Sequence, residues 1–280
     1  MTYKTFRLAM GQMRVIGGDK SGNLDRAERM IAKASKEGCQ LIILPECLDL
    51  GWTHPSAKEL SDEIPGETSN RLSRAAKEGN IMVVAGLTER DKKQIYNSAV
   101  LIDNLGKILL KYRKINLLDI EQEIYGVGTF LSVIETKFGN IGVNICADNF
   151  ESSLAIGHVL ARMGAHFIFS PCAWAVKADH DNKKEPYGKE WYQSYSRLSK
   201  LYRISVVGVS SVGWINAGPW KGKKTIGCSM AVGPDGRILA QGPYGVDSEA
   251  LLCINLQARI RKVKGTKYAN YLLKKGYRGP

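Results

Sequence analysis

The chain has 280 residues, of which 44% are hydrophobic and 24% are charged, and its formal net charge at pH 7 is +13. These proportions exclude a disordered chain, a collagen-like chain and a coiled coil, and no apolar run reaches the roughly 18 residues of a membrane-spanning helix. The first residues lack the apolar stretch of a secretory signal, so we predict a cytoplasmic protein.

Apolar strand-like segments alternate with helix-like segments as far as residue 256, without a linker rich in Ser, Pro or Gly. This alternation predicts one α/β domain over residues 1–256, followed by a basic tail over residues 257–280. In chain order, the pattern predicts a strand at 6–12, a helix at 24–36, a strand at 41–44, a helix at 69–77, a strand at 81–86 and a hairpin formed by 99–102 and 108–112.

The second half of the chain repeats this order. Residues 164–171 match residues 38–45, with the same spacing from Gly to Pro, and the hairpin residues 106–109 recur at 236–239. Two similar α/β halves predict two sheets that pack face to face, each covered by helices on its outer face. The expected fold is therefore a four-layer αββα sandwich with internal pseudo-twofold symmetry.

The six cysteines and four histidines show no metal-binding spacing. They form no C-x-x-C, H-x-x-x-H or H-E-x-x-H pattern, so we expect no metal site. Because a chain of this length without an export signal needs no disulfide framework, we also expect free thiols.

Most of the excess positive charge lies near the C-terminus. Eight basic residues and no acidic residue fall between 259 and 278, which leaves +5 for the rest of the chain. A basic arm of this kind is usually solvated, or packs on the body of the protein or on a partner subunit, so we do not expect nucleic acid as a partner. The alternative, a binder of nucleic acid or another acidic surface, requires affinity that falls steeply with salt.

Three reactive residues follow apolar strand-like segments. Glu46 comes after residues 41–45, Lys114 after 108–113 and Cys146 after 141–145. Sites in α/β sheets gather beyond the carboxyl ends of strands, so we expect these side chains to meet. A carboxylate can take the proton of a thiol and later give it to a leaving amine. A nearby ammonium is expected to lower the thiol pKa and to stabilise an oxyanion.

Three segments around these residues, 44–46, 112–117 and 142–148, together resemble the nitrilase, or carbon–nitrogen hydrolase, superfamily. The resemblance extends to about residue 256. It implies the αββα fold, hydrolysis of non-peptide C–N bonds without a cofactor, and a homodimer or larger homo-oligomer. It also implies that Cys146 is the nucleophile and Glu46 the base, with Lys114 as the third member of the catalytic set.

The resemblance implies three further site residues. A second glutamate usually precedes a loop glycine by seven residues, a spacing that Glu121 fits and for which Glu123 is the alternative. The backbone N–H of Ala147, next to the nucleophile, is expected in the oxyanion hole. Trp174 either walls the substrate pocket or is a core tryptophan. Cys172, which has no matching base, is interpreted as a packing residue.

The expected substrate is a small amide or N-carbamoyl compound that is cleaved through a Cys thioester, with release of ammonia or amine. No arginine lies between Cys146 and Arg162, where carbamoylases of amino acids often hold the substrate carboxylate, so an amino-acid carbamoyl substrate is in doubt. Two alternatives stay open: hydrolysis of a nitrile by the same residues, and a sandwich without turnover that acts as a binding protein.

Overall fold

Two six-stranded sheets form the centre of the computed structural model, which describes residues 4–260 and 271–276. In order across the first sheet, the strands are β15 (Ala250–Leu256), β1 (Phe6–Gln12), β2 (Leu41–Ile43), β3 (Met82–Asp91), β4 (Gln94–Ile102) and β5 (Ile108–Arg113). Those of the second sheet are β6 (Val133–Thr136), β7 (Gly139–Val143), β8 (Phe167–Cys172), β10 (Ser205–Ser210), β13 (Met230–Val232) and β14 (Ile238–Gln241). A small third sheet consists of β11 (Val212–Trp214), β12 (Lys224–Ile226) and β9 (Ala175–Val176).

The two large sheets share one topology. In the order given, each has an antiparallel edge pair, then two parallel pairs, then two antiparallel pairs. The parallel strands are β1, β2 and β3 in one sheet and β7, β8 and β10 in the other. The internal repeat that the sequence predicts is therefore present in the strand order of the structure.

Helices cover the outer face of each sheet. The helices are α1 (Lys20–Lys36), α2 (Ala57–Leu60), α3 (Glu67–Glu78), α4 (Asp119–Gln122), α5 (Ala155–Met163) and α6 (Lys189–Tyr202). The apolar residues of α1 and α3 share one buried cluster with the outer face of the first sheet, and those of α5 and α6 share another with the second sheet. The layer order is therefore helices, sheet, sheet, helices, which confirms the predicted αββα sandwich.

The side chains of β1 alternate between the two faces of the first sheet, and both faces are packed against another layer. Leu8 and Met10 point into the core between the sheets, where they join Val143 and Phe169 of the second sheet, whereas Ala9 faces the helices. Successive side chains of a strand point to opposite faces, so a strand buried on both faces is apolar throughout. Each fully buried aliphatic side chain of this size contributes about 1.5–3 kcal/mol.

The predicted elements are present, with shifted ends. α1 begins at Lys20 instead of residue 24, because the Asp19 side chain caps it by accepting a hydrogen bond from the Gly22 N–H at 3.1 Å. β3 runs to Asp91 instead of residue 86, because its antiparallel pairing with β4 continues to Gln94. The strands of the small third sheet are too short to produce a periodic pattern, and the sequence analysis missed them.

The predicted basic tail falls partly outside the described residues. Its basic residues that are not described are Arg261, Lys262, Lys264, Lys267 and Arg278. In the described part, Leu272 is buried in the apolar cluster between the second sheet and its helices. The division of the chain at residue 256 stays a prediction. Among the helices that the structure describes, none is both long and apolar enough to span a bilayer.

Candidate active site

Glu46 lies just beyond the end of β2, in the interior between the two large sheets. Its backbone N–H donates to the Cys172 carbonyl at 3.2 Å, which ties the end of the first sheet to the second. Gly86 of β3 passes so close that a Cβ there would lie 2.5 Å from the Glu46 Cα. The carboxylate is 1% exposed, and a glycine at position 86 is what allows it to sit this deep.

Lys114 joins two buried carboxylates. Its Nζ lies 2.8 Å from Glu46 Oε1 and 2.9 Å from both carboxylate oxygens of Glu121. Burial alone would lower the pKa of Lys114, but the two glutamates outweigh it and hold that pKa well above its usual value. The lysine is therefore a permanent cation at the centre of the site.

The two oxygens of Glu46 have different surroundings. Oε1 accepts from Lys114 Nζ and, at 2.7 Å, from Asn97 Nδ2. Oε2 is buried and has no hydrogen-bond partner within the described part of the chain. Burial raises the pKa of Glu46, Lys114 opposes that rise and Glu121 adds to it. A carboxylate with one unoccupied oxygen and a raised pKa is suited to accept a proton and to return it.

Glu121, rather than Glu123, forms the second ion pair with Lys114. It belongs to the short helix α4 and is fully buried, whereas Glu123 is exposed. One of its oxygens accepts from the Leu118 N–H and the other from Trp52 Nε1, at 2.9 and 2.8 Å. These bonds hold the carboxylate in place against the ammonium.

Cys146 opens a single 3-10 turn, Cys146–Asn149, directly after the end of β7. Its φ of 42° is in the left-handed region, which is uncommon for a residue other than glycine and turns the chain sharply out of the strand. The backbone N–H donates to Ser170 Oγ at 3.0 Å. Of the four residues in the predicted set, only Cys146 is partly exposed, so a small molecule can reach it while Glu46, Lys114 and Glu121 stay buried.

The thiol is neutral in the resting structure. The Cys172 thiol, burial and the Glu46 carboxylate all raise the pKa of Cys146 well above its usual value. Lys114 does lower the thiol pKa, as expected, but the Cys172 thiol, burial and Glu46 outweigh it, so the pKa is raised overall. Cys146 needs a base to become a nucleophile, and Glu46 is the carboxylate whose charge acts on it.

Asp148 holds the turn that carries Cys146. Its carboxylate accepts from the Tyr112 hydroxyl at 2.7 Å and from the backbone N–H groups of Ile145 and Asn116, each at 2.9 Å. Ala147 lies between Cys146 and Asp148 and is buried. The turn that begins at Cys146 is therefore anchored by the Asp148 carboxylate.

Trp174 lies in the interior rather than on an open wall. It is 1% exposed, its ring stacks on Trp191 with the centroids 4.8 Å apart, and its backbone N–H donates to Ser210 Oγ. Cys146 packs against the same apolar cluster. Trp174 therefore supports the region behind the thiol, and its proposed contact with substrate stays a prediction.

Asn97 and Trp52 contact the buried carboxylates, and no sequence pattern predicted either contact. Asn97 Nδ2 lies 2.7 Å from Glu46 Oε1 and 3.1 Å from Glu121 Oε1, so one amide contacts both carboxylates. A buried amide within the apolar strand β4 was the signal available in the sequence, since such a group needs a partner. Trp52 Nε1 donates to Glu121 Oε1 at 2.8 Å and so holds the second glutamate.

We expect Asn97→Ala to lower kcat/KM by about 10- to 100-fold, which corresponds to the loss of a hydrogen bond to a charged group. The Asn97 amide favours the ionised form of Glu46, so its removal raises the pKa of that carboxyl. The acid limb of the pH profile of kcat/KM should therefore move to higher pH. The half-buried residue Asn104, in the turn between β4 and β5, provides the control, Asn104→Ala. An Asn97→Ala profile that coincides with the wild-type profile would contradict this role.

The chain matches the family model for carbon-nitrogen hydrolases over residues 7–264. It is 34% identical to the omega-amidase NIT2 of Xenopus tropicalis over 179 residues, which are 60% of this chain. The match spans 64% of the length of that omega-amidase. It is also 32% identical to a nitrilase of Pyrococcus abyssi over 223 residues, or 78% of each chain.

Solved structures of the superfamily share the fold. A carbon-nitrogen hydrolase from Helicobacter pylori superposes with a TM-score of 0.82 at 20% identity, covering 99% of this chain and all of the other. An amidase from Nesterenkonia AN1 superposes with a TM-score of 0.75 at 25% identity, covering 90% of this chain and 92% of the other. With the family model matched over residues 7–264, the chain belongs to the carbon–nitrogen hydrolase family of the nitrilase superfamily.

Proposed function

We propose that this protein hydrolyses the C–N bond of a small amide, with Cys146 as the nucleophile. The observation that carries the proposal is the arrangement around Lys114: one ammonium forms ion pairs with two buried glutamates, and Glu46 Oε2 has no partner within the described residues. This arrangement supplies a proton acceptor in a site from which protein groups have displaced water.

In the proposed reaction, Glu46 takes the thiol proton while the sulfur of Cys146 attacks the amide carbon. The resulting oxyanion is stabilised by the charge of Lys114 and by the Ala147 N–H. The tetrahedral intermediate collapses, the C–N bond breaks, and Glu46 gives its proton to the departing ammonia or amine. Glu46 then activates a water that hydrolyses the thioester and releases the acid and the free thiol. Glu121 holds Lys114 in place throughout.

The names of the relatives support the amide substrate. The relatives include omega-amidases, and a structural neighbour is an amidase. The Pyrococcus relative is named a nitrilase, and this favours a nitrile as the second candidate. With a nitrile, the same sulfur would add to the C≡N carbon and form a thioimidate before hydrolysis.

A substrate screen tests the proposal. Purified protein is incubated with short aliphatic amides, ω-amides of dicarboxylic acids, N-carbamoyl amino acids and aliphatic nitriles, and the release of ammonia is measured. Rapid quenching with intact-mass detection identifies the covalent intermediate. We expect ammonia from at least one amide class and an acyl adduct on Cys146. If no class yields either ammonia or an adduct, the alternative of a binding protein without turnover replaces the proposal.

A cytoplasmic location and a homodimer or larger homo-oligomer stay predictions of the sequence and the family resemblance. Light scattering of the purified full chain measures the number of subunits directly. The predicted absence of a nucleic-acid partner is checked by a binding titration with short duplexes at two salt concentrations, in which we expect no binding at physiological salt.

A further inference from the structure

A second thiol lies beside the proposed nucleophile. β7 and β8 pair in parallel, with Ile141 opposite Phe167 and Val143 opposite Phe169. Cys146 and Cys172, the last residue of β8, each lie three residues beyond the last pair of this register. Cys172 is completely buried, whereas Cys146 is partly exposed.

The hydroxyl of Ser170 ties the two cysteines together. Ser170 Oγ accepts from the Cys146 backbone N–H at 3.0 Å and lies 3.6 Å from the Cys172 sulfur. The remaining polar neighbours of that sulfur are the Ser170 carbonyl at 3.3 Å and the Tyr195 hydroxyl at 3.9 Å. Cys146 packs against the apolar cluster that contains Cys172, and the Cys172 thiol is among the groups that raise the pKa of Cys146.

The proposed hydrolysis makes no use of Cys172. Within the described residues, its sulfur has hydrogen-bond partners only in Ser170 and Tyr195, neither of which carries a carboxylate or an ammonium. Burial protects the Cys172 thiol from oxidants in solution. Once the accessible Cys146 thiol has been oxidised, however, the neighbouring Cys172 thiol can react with it.

We propose that Cys172 is a resolving thiol, which forms a reversible disulfide with Cys146 when the site meets hydrogen peroxide. The Cys146 sulfur attacks one peroxide oxygen, the O–O bond breaks, and Cys146 becomes a sulfenic acid while one water leaves. The Cys172 sulfur then attacks the Cys146 sulfur, the S–O bond breaks, and a second water leaves. In total, two thiols lose two electrons and two protons, and one peroxide is reduced to two waters.

The disulfide protects the nucleophile. A sulfenic acid without a neighbouring thiol is oxidised further to sulfinic and sulfonic acids, which thiol reductants do not restore. With Cys172 in place, oxidation stops at a disulfide that a dithiol reverses. The proposal rests on Cys146 being the reactive thiol of the proposed function, and the modification is read by mass, which requires no turnover.

A second pair of thiols also lies close together, and a disulfide between them would give the same change in intact mass. The sulfurs of Cys39 and Cys253 lie 3.4 Å apart, and both residues belong to the first sheet region rather than to the site. All proteins in the experiment therefore carry Cys253→Ser. Against this background, the pseudo-wild type is compared with Cys172→Ala and with Cys172→Ser, which keeps the size of the side chain if the alanine variant folds poorly.

Each protein is treated with hydrogen peroxide, the free thiols are blocked, and the intact mass and peptide map are recorded before and after dithiothreitol. We expect the pseudo-wild type to lose two hydrogens, to show a Cys146–Cys172 cross-linked peptide and to recover fully on reduction. Both Cys172 variants should instead gain two or three oxygens on Cys146 irreversibly. Direct conversion of Cys146 to sulfinic acid in the pseudo-wild type, without the cross-link, would overturn the proposal. If the cross-linked peptide forms but the substrate screen yields no ammonia and no adduct, the proposed hydrolase function is overturned and the disulfide proposal stands.

Discussion

Replacing Cys146 with alanine is expected to abolish ammonia release, with a loss of about 10⁴- to 10⁶-fold, the scale seen when a covalent nucleophile is removed. The physical reason is that no other described group near Glu46 Oε2 combines a nucleophilic atom with access from solvent: Cys172 and Cys47 are both fully buried. The thioester route therefore depends on one sulfur.

The same variant should fold normally. Cys146 is only partly buried, and its turn is held by the Asp148 carboxylate and by the bond from its backbone N–H to Ser170, neither of which involves the sulfur. We expect the thermal midpoint of the alanine variant to stay close to that of the wild type. Cys253→Ala, which removes a partly buried thiol far from the site, is the matched control and should retain full activity. Ammonia release at the wild-type rate from Cys146→Ala would remove the basis of the proposed function.

Replacing Lys114 with methionine should have the largest effect on stability, in addition to abolishing activity. Methionine is similar in size but leaves Glu46 and Glu121 buried without their shared cation. Removal of one partner from a buried ion pair costs about 3–5 kcal/mol in free energy of unfolding, because the remaining charge is uncompensated. The exposed residue Lys107 provides the control Lys107→Met, for which we expect almost no change.

The loss of stability in Lys114→Met should depend on pH. Burial already raises the pKa of Glu46 above its value in the unfolded chain, and Lys114 opposes that rise. Without Lys114, the folded variant holds its carboxyl protons to higher pH than the unfolded chain does, so its stability falls as the pH rises above the ordinary glutamate range. The difference from wild type should therefore be small near pH 4 and should grow towards pH 8.

Denaturant unfolding at several pH values measures this difference directly. The double variant Lys114→Met, Glu121→Gln removes one of the two uncompensated charges, and we expect it to regain part of the stability at pH 8 but none of the activity. If the free energy of unfolding of Lys114→Met stays parallel to that of the wild type from pH 4 to pH 8, then the two glutamates are not ionised beside Lys114 and the proposed electrostatics of the site are wrong.

These effects come from one arrangement. The Cys172 thiol, burial and Glu46 raise the pKa of Cys146 more than Lys114 lowers it, so we propose that the thiol keeps its proton until Glu46 removes it. The proton therefore moves only between sulfur, the Glu46 carboxylate and the leaving group. A site of this kind combines a protonated resting thiol with a base that activates it.

The amino-acid sequence by itself determined the elements and the positions of the three reactive groups. The hydrophobic patterns of strands and helices, with periods of 2 and 3.6 residues, depend only on residues close in sequence. Short windows of sequence therefore predicted the strands before Glu46 and Cys146 and the helices between the strands. The repeat of residues 38–45 at 164–171 predicted two matching sheets, and the strand order confirms it.

Only the tertiary structure decided which side chains meet and in what charge state. Glu121 lies on Lys114 and Glu123 does not, because residues two apart on the helical turn of α4 point to different sides. Asn97 joins Glu46 across 51 residues, and Ser170 of β8, two residues before Cys172, bonds the backbone of Cys146. The pKa of the Cys146 thiol rises because of burial and of charges on residues that are distant in the sequence. A local sequence pattern does not contain these neighbours, so it could not predict the shift.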